Sequence, residues 1–367
     1  MMQDGLTFDD ILILPGYTNF KRQEVNLTTK LHDRIILKLP VISSPMDTVT
    51  EDVMALHLAR VGGLGIIHRN LSIQAQAGMV ESIKKEQLLV GAAVGIGSDF
   101  EERARSLMQV NTDVLVIDSG HGNTKFMVDA IHFIKKTYPK AAVMAGNIAT
   151  SDGAKRLIAA GADILRVGMG PGSICTTRII TGMGVPQITA IMEAVKVLRS
   201  RIPLRGTMKA TQVTIVADGG IRQIGDMAKA LAVGAHAVML GSLLAGFDES
   251  PGEIVAMDKK QYKQYRGMGS VAAMKQGSAE RYGQTRDTSE RKLIPEGVEG
   301  LVGYKGPVAQ YLDQITGSLK SSFYYIGART MAEFQKKAEI VKITPASMAE
   351  SHPHSIVVTD TGTNYRL

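Results

Sequence analysis

Cys175 is the only cysteine among 367 residues, and it stands in Gly170-Pro171-Gly172-Ser173-Ile174-Cys175-Thr176-Thr177-Arg178. A lone thiol makes no intrachain disulfide. It is either a small packing residue or a nucleophile. A glycine-rich turn precedes it, following the apolar run Ala162 to Val167, and Arg178 lies three residues on. Thiols attack as thiolates, which backbone N–H groups and a nearby cation favour. The segment alone leaves both readings open.

Something must present that turn. Eight short runs recur: Leu39–Ser44, Gly63–His68, Leu88–Gly95, Val114–Asp118, Ala141–Asn147, Ile164–Gly168, Thr214–Asp218 and Ala237–Gly241. Between most of them lie stretches with apolar residues at three-to-four spacing: Glu51–Arg60, Phe100–Gln109, Lys125–Lys136, Ser151–Ala160, Ile188–Ser200 and Gln223–Ala232. Continuous apolar strands alternating with helices predict a parallel sheet covered by helices. Eight such units fit an α/β fold of the (β/α)8 TIM-barrel type. A doubly wound open sheet is the other option, although no GxGxxG turn opens an early helix.

Barrel active sites sit at the C-terminal strand ends. Here those ends carry Ser44 and Met46, His68, Asp118, Asn147, the Cys175 loop, Asp218-Gly219-Gly220, and Gly241-Ser242. The seventh and eighth ends fall where barrels commonly bind phosphate, and their glycines let backbone N–H groups approach an anion. Ser173 and Ser242 add hydroxyls, and Asp218 suits a ribose diol. The residues thus point to a phosphorylated, sugar-bearing ligand beside a candidate nucleophile.

Composition agrees with a soluble protein. The chain is 44% hydrophobic and 21% charged, with net charge +7. That charge reads as a lysine-rich surface or as a preference for anionic ligands such as nucleotides. No basic stretch is interleaved with aromatics, which argues against nucleic acid. No run reaches the length of a membrane span. The start lacks signal-peptide features, so a cytoplasmic location is expected.

Longer stretches resemble the inosine-5′-monophosphate dehydrogenase family along almost the whole chain. They are Leu6–Leu12, Ser43–Glu51, Gly65–His68, Ala145–Asn147, Gly170–Arg178, Val185–Ala190, Ala217–Arg222, Tyr265–Ser270, Pro295–Gly300 and Glu350–His354. The resemblance implies NAD-dependent oxidation of IMP to XMP, the committed step of guanine nucleotide biosynthesis, through a covalent thioimidate on Cys175. It implies that the nucleotide lies along Ser44, Met46, Asn147, Ser173, Asp218, Gly219, Gly220, Gly241, Ser242 and Tyr265. Gly267, Met268, Gly269 and Glu296 would contact the base. Asp118, Ser119 and Gly168 would hold the nicotinamide riboside.

The polar segment 275–292 corresponds to the family's mobile flap, with Arg281-Tyr282 as its signature pair. Arg281 would be the general base for water, and Thr177 with Glu296 an alternative proton route. Gly170, Gly172 and Cys175 resemble the carbonyl donors of a monovalent cation site, K⁺ by family. Glu350, Ser351 and His352 of a neighbouring subunit would complete it, which implies a homotetramer.

Residues 1–367 are expected to form one catalytic barrel with the flap and a C-terminal segment, 340–367. Three departures stand out. Only about twenty residues separate Asn70 from Gly91, so the CBS pair usual in this family is absent. Gly283 stands where an aromatic is common, a change expected to loosen flap docking. Leu204–Gln212 reads as a short basic insertion. GMP reductase shares the barrel and the Cys loop, but Gly277–Tyr282 and Pro295–Gly300 follow the dehydrogenase pattern. A non-catalytic nucleotide or nucleic-acid binder is the rival from another class.

Overall fold

A computed structural model describes residues 4–200, 213–285, 289, 292–362 and 365. The Leu204–Gln212 stretch lies outside the described residues.

The chain opens with β1 (Ile11–Ile13), the hairpin of β2 (Thr29–His32) and β3 (Ile35–Leu37), and β4 (Val41–Ser43). Then helices alternate with strands: α1 (Asp52–Arg60), β5 (Leu64–Ile67), α2 (Ile73–Lys85), β6 (Val90–Val94), α3 (Phe100–Gln109) and β7 (Val114–Asp118). The alternation continues with α4 (Lys125–Thr137), β8 (Ala142–Ile148), α5 (Ser151–Ala160) and β9 (Ile164–Val167). After the short α6 (Thr177–Thr181) come α7 (Gln187–Arg199), β10 (Thr214–Asp218), α8 (Ile224–Ala232) and β11 (Ala237–Leu240).

β4 to β11 close into one parallel barrel in the order β10-β11-β4-β5-β6-β7-β8-β9. These are the eight runs read from the sequence, each within a few residues. The chain is therefore an α/β protein of the (β/α)8 class. The inward layers hold Ile42, Leu64, Ile66, Val116, Met144, Ile164, Val216 and Met239, all at most 1% exposed. Leu31, Ile35 and Leu37 of the β2–β3 hairpin join this cluster. Such a filled interior leaves chemistry to the strand-end loops.

Between β5 and β6 there is only α2 with its flanking turns, so nothing domain-sized is inserted there. A three-stranded antiparallel sheet follows β11: β12 (Ile254–Met257), β13 (Lys260–Arg266) and β14 (Glu299–Gly303). Between β13 and β14 stand the one-turn α9 (Val271–Ala273) and further helical turns over Met274–Ser278 and Ala279–Tyr282. The eighth covering helix, α10 (Ala309–Ile326), comes only after this excursion and packs on α8. The chain then runs through α11 (Met331–Lys337), β15 (Ile340–Lys342), which pairs antiparallel with β1, and α12 (Pro345–Glu350). No helix among the described residues is long and apolar enough to cross a membrane.

Candidate active site

The Cys175 loop connects β9 to α6 at the C-terminal face of the barrel, and neighbouring loops stitch it in place. Cys175 forms an antiparallel bridge with Gly297. Thr176 N donates to Glu296 O at 2.9 Å, and Val298 N to Ile174 O at 3.0 Å. Gly267 N in turn donates to Val298 O at 2.9 Å. This close approach explains two glycines: a Cβ at Gly267 would lie 3.1 Å from Ile174 O, and one at Gly297 3.2 Å from the same atom. The small sheet after β11 thereby fixes the backbone that carries the thiol.

Cys175 Sγ is half-buried and 3.2 Å from Thr177 Oγ1. Arg178 braces the loop instead of reaching the sulfur: its guanidinium donates to Met169 O and Val185 O. The thiol faces a cleft. Ser44, Met46, Asn147, Gly168, Gly170, Gly172 and Asp218 line it from the strand ends. Gly267, Met268, Gly269 and Glu296 line it from the small sheet, and Arg281 and Tyr282 from the helical turns.

An adjoining hollow shares Ser44, Met46, Asp218, Gly219 and Tyr265 with this cleft and adds Ser173, Gly220, Gly241 and Ser242. Gly219 and Gly220 both have left-handed φ, +89° and +77°, with Pro171 packed over them. Left-handed φ at both positions calls for glycine, and the lack of side chains leaves this backbone open to close approach. The Tyr265 hydroxyl bonds Ser173 and Ser242, and burial pushes its pKa up to about 12. It therefore stays a neutral donor in the wall of this hollow.

Charge is concentrated along three strand ends. Arg166, 3% exposed on β9, reaches Asp118 with one nitrogen and Asp218 Oδ2 with another at 2.8 Å. Asn147 Nδ2 donates to Asp218 Oδ2 at 2.7 Å and to Gly168 O at 2.8 Å. Asp118 is also paired with Arg281. Asp118 Oδ2 and Asn147 Oδ1 are buried without a partner, acceptors a ligand could engage. Ser119 is buried behind this edge, its backbone joined to Gly146 and Asn147.

The segment 275–282 is helical, against the expected irregular loop, and docked. Met274, Ala279 and Leu293 form a small buried cluster joined by Val271 and Tyr282. Gln284 Nε2 donates to Ile294 O at 2.9 Å and its Oε1 accepts from Ile294 N at 2.8 Å, closing the base. Tyr282 packs against Gly269, where a Cβ would come 2.8 Å from its ring. Gly283 has φ +67° and faces open space, so it serves the chain reversal while Tyr282 does the docking.

Sequence reasoning missed Arg166 and Arg69. A single arginine inside the apolar run of β9 was a readable signal for the first; the second gave none. Of the residues expected near a cation, Gly170, Gly172 and Cys175 share the loop. Glu350 and Ser351 are exposed, and His352 lines a groove with Ser173, Ile174 and Ser242 on the outer side of that loop. Among the described residues no cluster of His, Cys, Asp or Glu is suited to a metal ion.

The IMP dehydrogenase / GMP reductase domain model matches residues 5–354. The chain belongs to this family. It is 40% identical to the inosine-5′-monophosphate dehydrogenase of Borreliella burgdorferi, over 96% of this chain and 98% of that protein. It is 34% identical to the enzyme of the same name from Staphylococcus aureus, over 99% and 98%. The second alignment runs over 490 positions against a chain of 367, so that relative carries residues with no counterpart here.

Proposed function

We propose that this chain oxidises IMP to XMP with NAD⁺ through a covalent intermediate on Cys175. One arrangement carries the reading: the thiol opens into a cleft that runs on into the hollow of Gly219, Gly220, Ser173, Ser242 and Tyr265. A purine nucleotide with its phosphate in that hollow has its base beside the sulfur.

Cys175 Sγ adds to C2 of the base. A hydride leaves that carbon and a thioimidate remains. Water then attacks C2, and XMP and the free thiol are released. Bound NAD⁺ supplies the two-electron oxidation by accepting the hydride. Asp218 takes the ribose hydroxyls. Gly267, Met268, Gly269 and Glu296 face the base. Asp118, Ser119 and Gly168 form the nicotinamide side, and the unpartnered acceptors Asp118 Oδ2 and Asn147 Oδ1 fit that use.

Arg281 is the base that takes the proton of the attacking water, with Tyr282 seating it. A guanidinium does this only where its neutral form is stabilised, so Arg281 acts after leaving the Asp118 carboxylate with which it is paired. Thr177, 3.2 Å from the sulfur, and Glu296 form the other proton route. Flap closure then follows departure of reduced cofactor, because Arg281 occupies the Asp118 edge that the nicotinamide needs.

The finer reading adds a K⁺ held by the carbonyls of Gly170, Gly172 and Cys175 with Glu350, Ser351 and His352 of a second copy. A homotetramer, a cytoplasmic location and one catalytic unit over 1–367 complete it. NADH formation with IMP and NAD⁺, stimulated by K⁺ over Li⁺, tests the assignment. Oxidation of NADPH with GMP and no NADH from IMP would assign GMP reductase instead. Retention of function by Cys175→Ala would leave only a binding protein.

A further inference from the structure

Arg69 follows His68 at the C-terminal end of β5. Its side chain is only 5% exposed. Burial, then the like charge of Arg281, push its pKa down to about 10. A guanidinium so enclosed needs acceptors for its N–H groups. Those it has come from the flap: Nη1 donates to Gly277 O at 3.2 Å and lies 3.9 Å from Glu280 Oε2. Nε and Nη2 are buried without an acceptor.

The flap is shaped for this contact. Gly277 has φ +139°, which interrupts the helical turns where its carbonyl meets Arg69. Three residues on, the Glu280 carboxylate sits against Gly97 in the loop after β6, so closely that a Cβ there would overlap it. The next residue, Arg281, pairs with Asp118 at the end of β7, and its carbonyl accepts from Gly120 N at 2.9 Å. Consecutive flap residues therefore engage adjacent strand ends. Arg69 holds Gly277 O between two other anchors, Gln276 Oε1, which accepts from Arg266, and Ser278 Oγ, which donates to Met268 O.

We propose that Arg69 is a positioning residue that clasps Gly277 O and Glu280 and so holds the flap where Arg281 meets the covalent adduct. Undocking exchanges Gly277 O and Glu280 for water, so what the clasp contributes is the position at which the flap docks. The part concerning the adduct rests on the dehydrogenase reading. The clasp itself does not.

Three variants test it: Arg69→Met, Arg69→Lys and Gly97→Ala. The last adds a methyl group on a half-buried loop, where it displaces only the flexible end of Glu280. Limited trypsin digestion of the unliganded protein reads docking through cleavage after Lys275 and Arg281. Rapid mixing with IMP and NAD⁺ reads the hydride burst, and mass spectrometry the steady-state Cys175 adduct. For Arg69→Met and Gly97→Ala we expect flap cleavage to rise, and adduct hydrolysis to slow, about tenfold, the scale of one charge-assisted contact. The burst should stay within about twofold, and Arg69→Lys should recover part of the loss. Unchanged cleavage in both Arg69→Met and Gly97→Ala, or equal slowing of burst and hydrolysis, overturns the clasp. Absence of NADH formation in the unaltered protein would instead overturn the functional reading, while the digestion would still decide the clasp.

Discussion

The guanidinium of Arg281, on the flap, is paired with the carboxylate of Asp118 at the end of β7. Asp118 is 1% exposed and also meets Arg166, which bridges on to Asp218. One buried carboxylate thus ties the flap to the edge assigned to the nicotinamide, and one arginine ties that edge to the ribose side. On the proposed function, flap and cofactor would contend for the same place, and oxidation and hydrolysis would proceed in turn.

Arg281→Ala should keep the hydride burst and slow release of XMP. General-base catalysis is worth roughly 10²–10⁴-fold, so turnover should fall by about that factor while the adduct accumulates. Burst amplitude against the steady-state rate measures this. Equal loss of both steps would remove Arg281 from the second half-reaction.

Asp118→Asn leaves Arg281 and Arg166 facing an uncharged amide. Removing one partner of a buried ion pair costs about 3 kcal/mol or more. Denaturant unfolding should show a loss of that order, tempered because Arg166 retains Asp218. Flap cleavage by trypsin should also rise. A variant as stable as the parent would show that the pair contributes no net stability.

Tyr265→Phe should weaken nucleotide binding and leave the chemical step nearly intact. One lost hydroxyl contact is worth about 1 kcal/mol, so KM for IMP should rise roughly fivefold with kcat little changed. With its pKa near 12, the phenol adds no alkaline limb to nucleotide affinity below about pH 10. A drop in kcat with KM unchanged would place Tyr265 in the chemistry.

His236 makes the fold acid-sensitive. Its Nδ1 accepts from Ile215 N at 3.1 Å, and burial lowers its pKa from 6.5 to about 4. Below about pH 6.5 the unfolded chain binds a proton that the native state refuses, so stability falls as pH drops towards 4. Between roughly pH 7 and pH 5 this amounts to about 2 kcal/mol. His236→Asn, whose amide oxygen can accept from the same N–H, should flatten that part of the stability profile. An unchanged slope would assign the acid loss to other groups.

The barrel was legible because strands buried on both faces read as continuous apolar runs, and each of the eight formed within a few residues of its expected place. The cleft was legible because polar and glycine residues crowd the ends of those runs. The sheet of β12, β13 and β14 was not. Ile254–Met257 is exposed along its length and β13 reads Lys-Gln-Tyr-Lys-Gln-Tyr-Arg, so neither carries the alternation of a half-buried strand. Helix α2 was missed because its apolar positions are diluted by Gln, Ser and Lys. The flap read as a polar loop, since its helical turns are held by Leu293 and by single contacts such as Arg69 with Gly277, which no local pattern reveals.

The central claim is that Cys175 carries the substrate between two chemical steps. Intact-protein mass spectrometry of the enzyme quenched during turnover with IMP and NAD⁺ tests it most directly. The account predicts a nucleotide adduct on Cys175 that appears with the NADH burst, persists longer in Arg281→Ala and is absent in Cys175→Ala. NADH formation with no adduct on Cys175, or full turnover by Cys175→Ala, would contradict it.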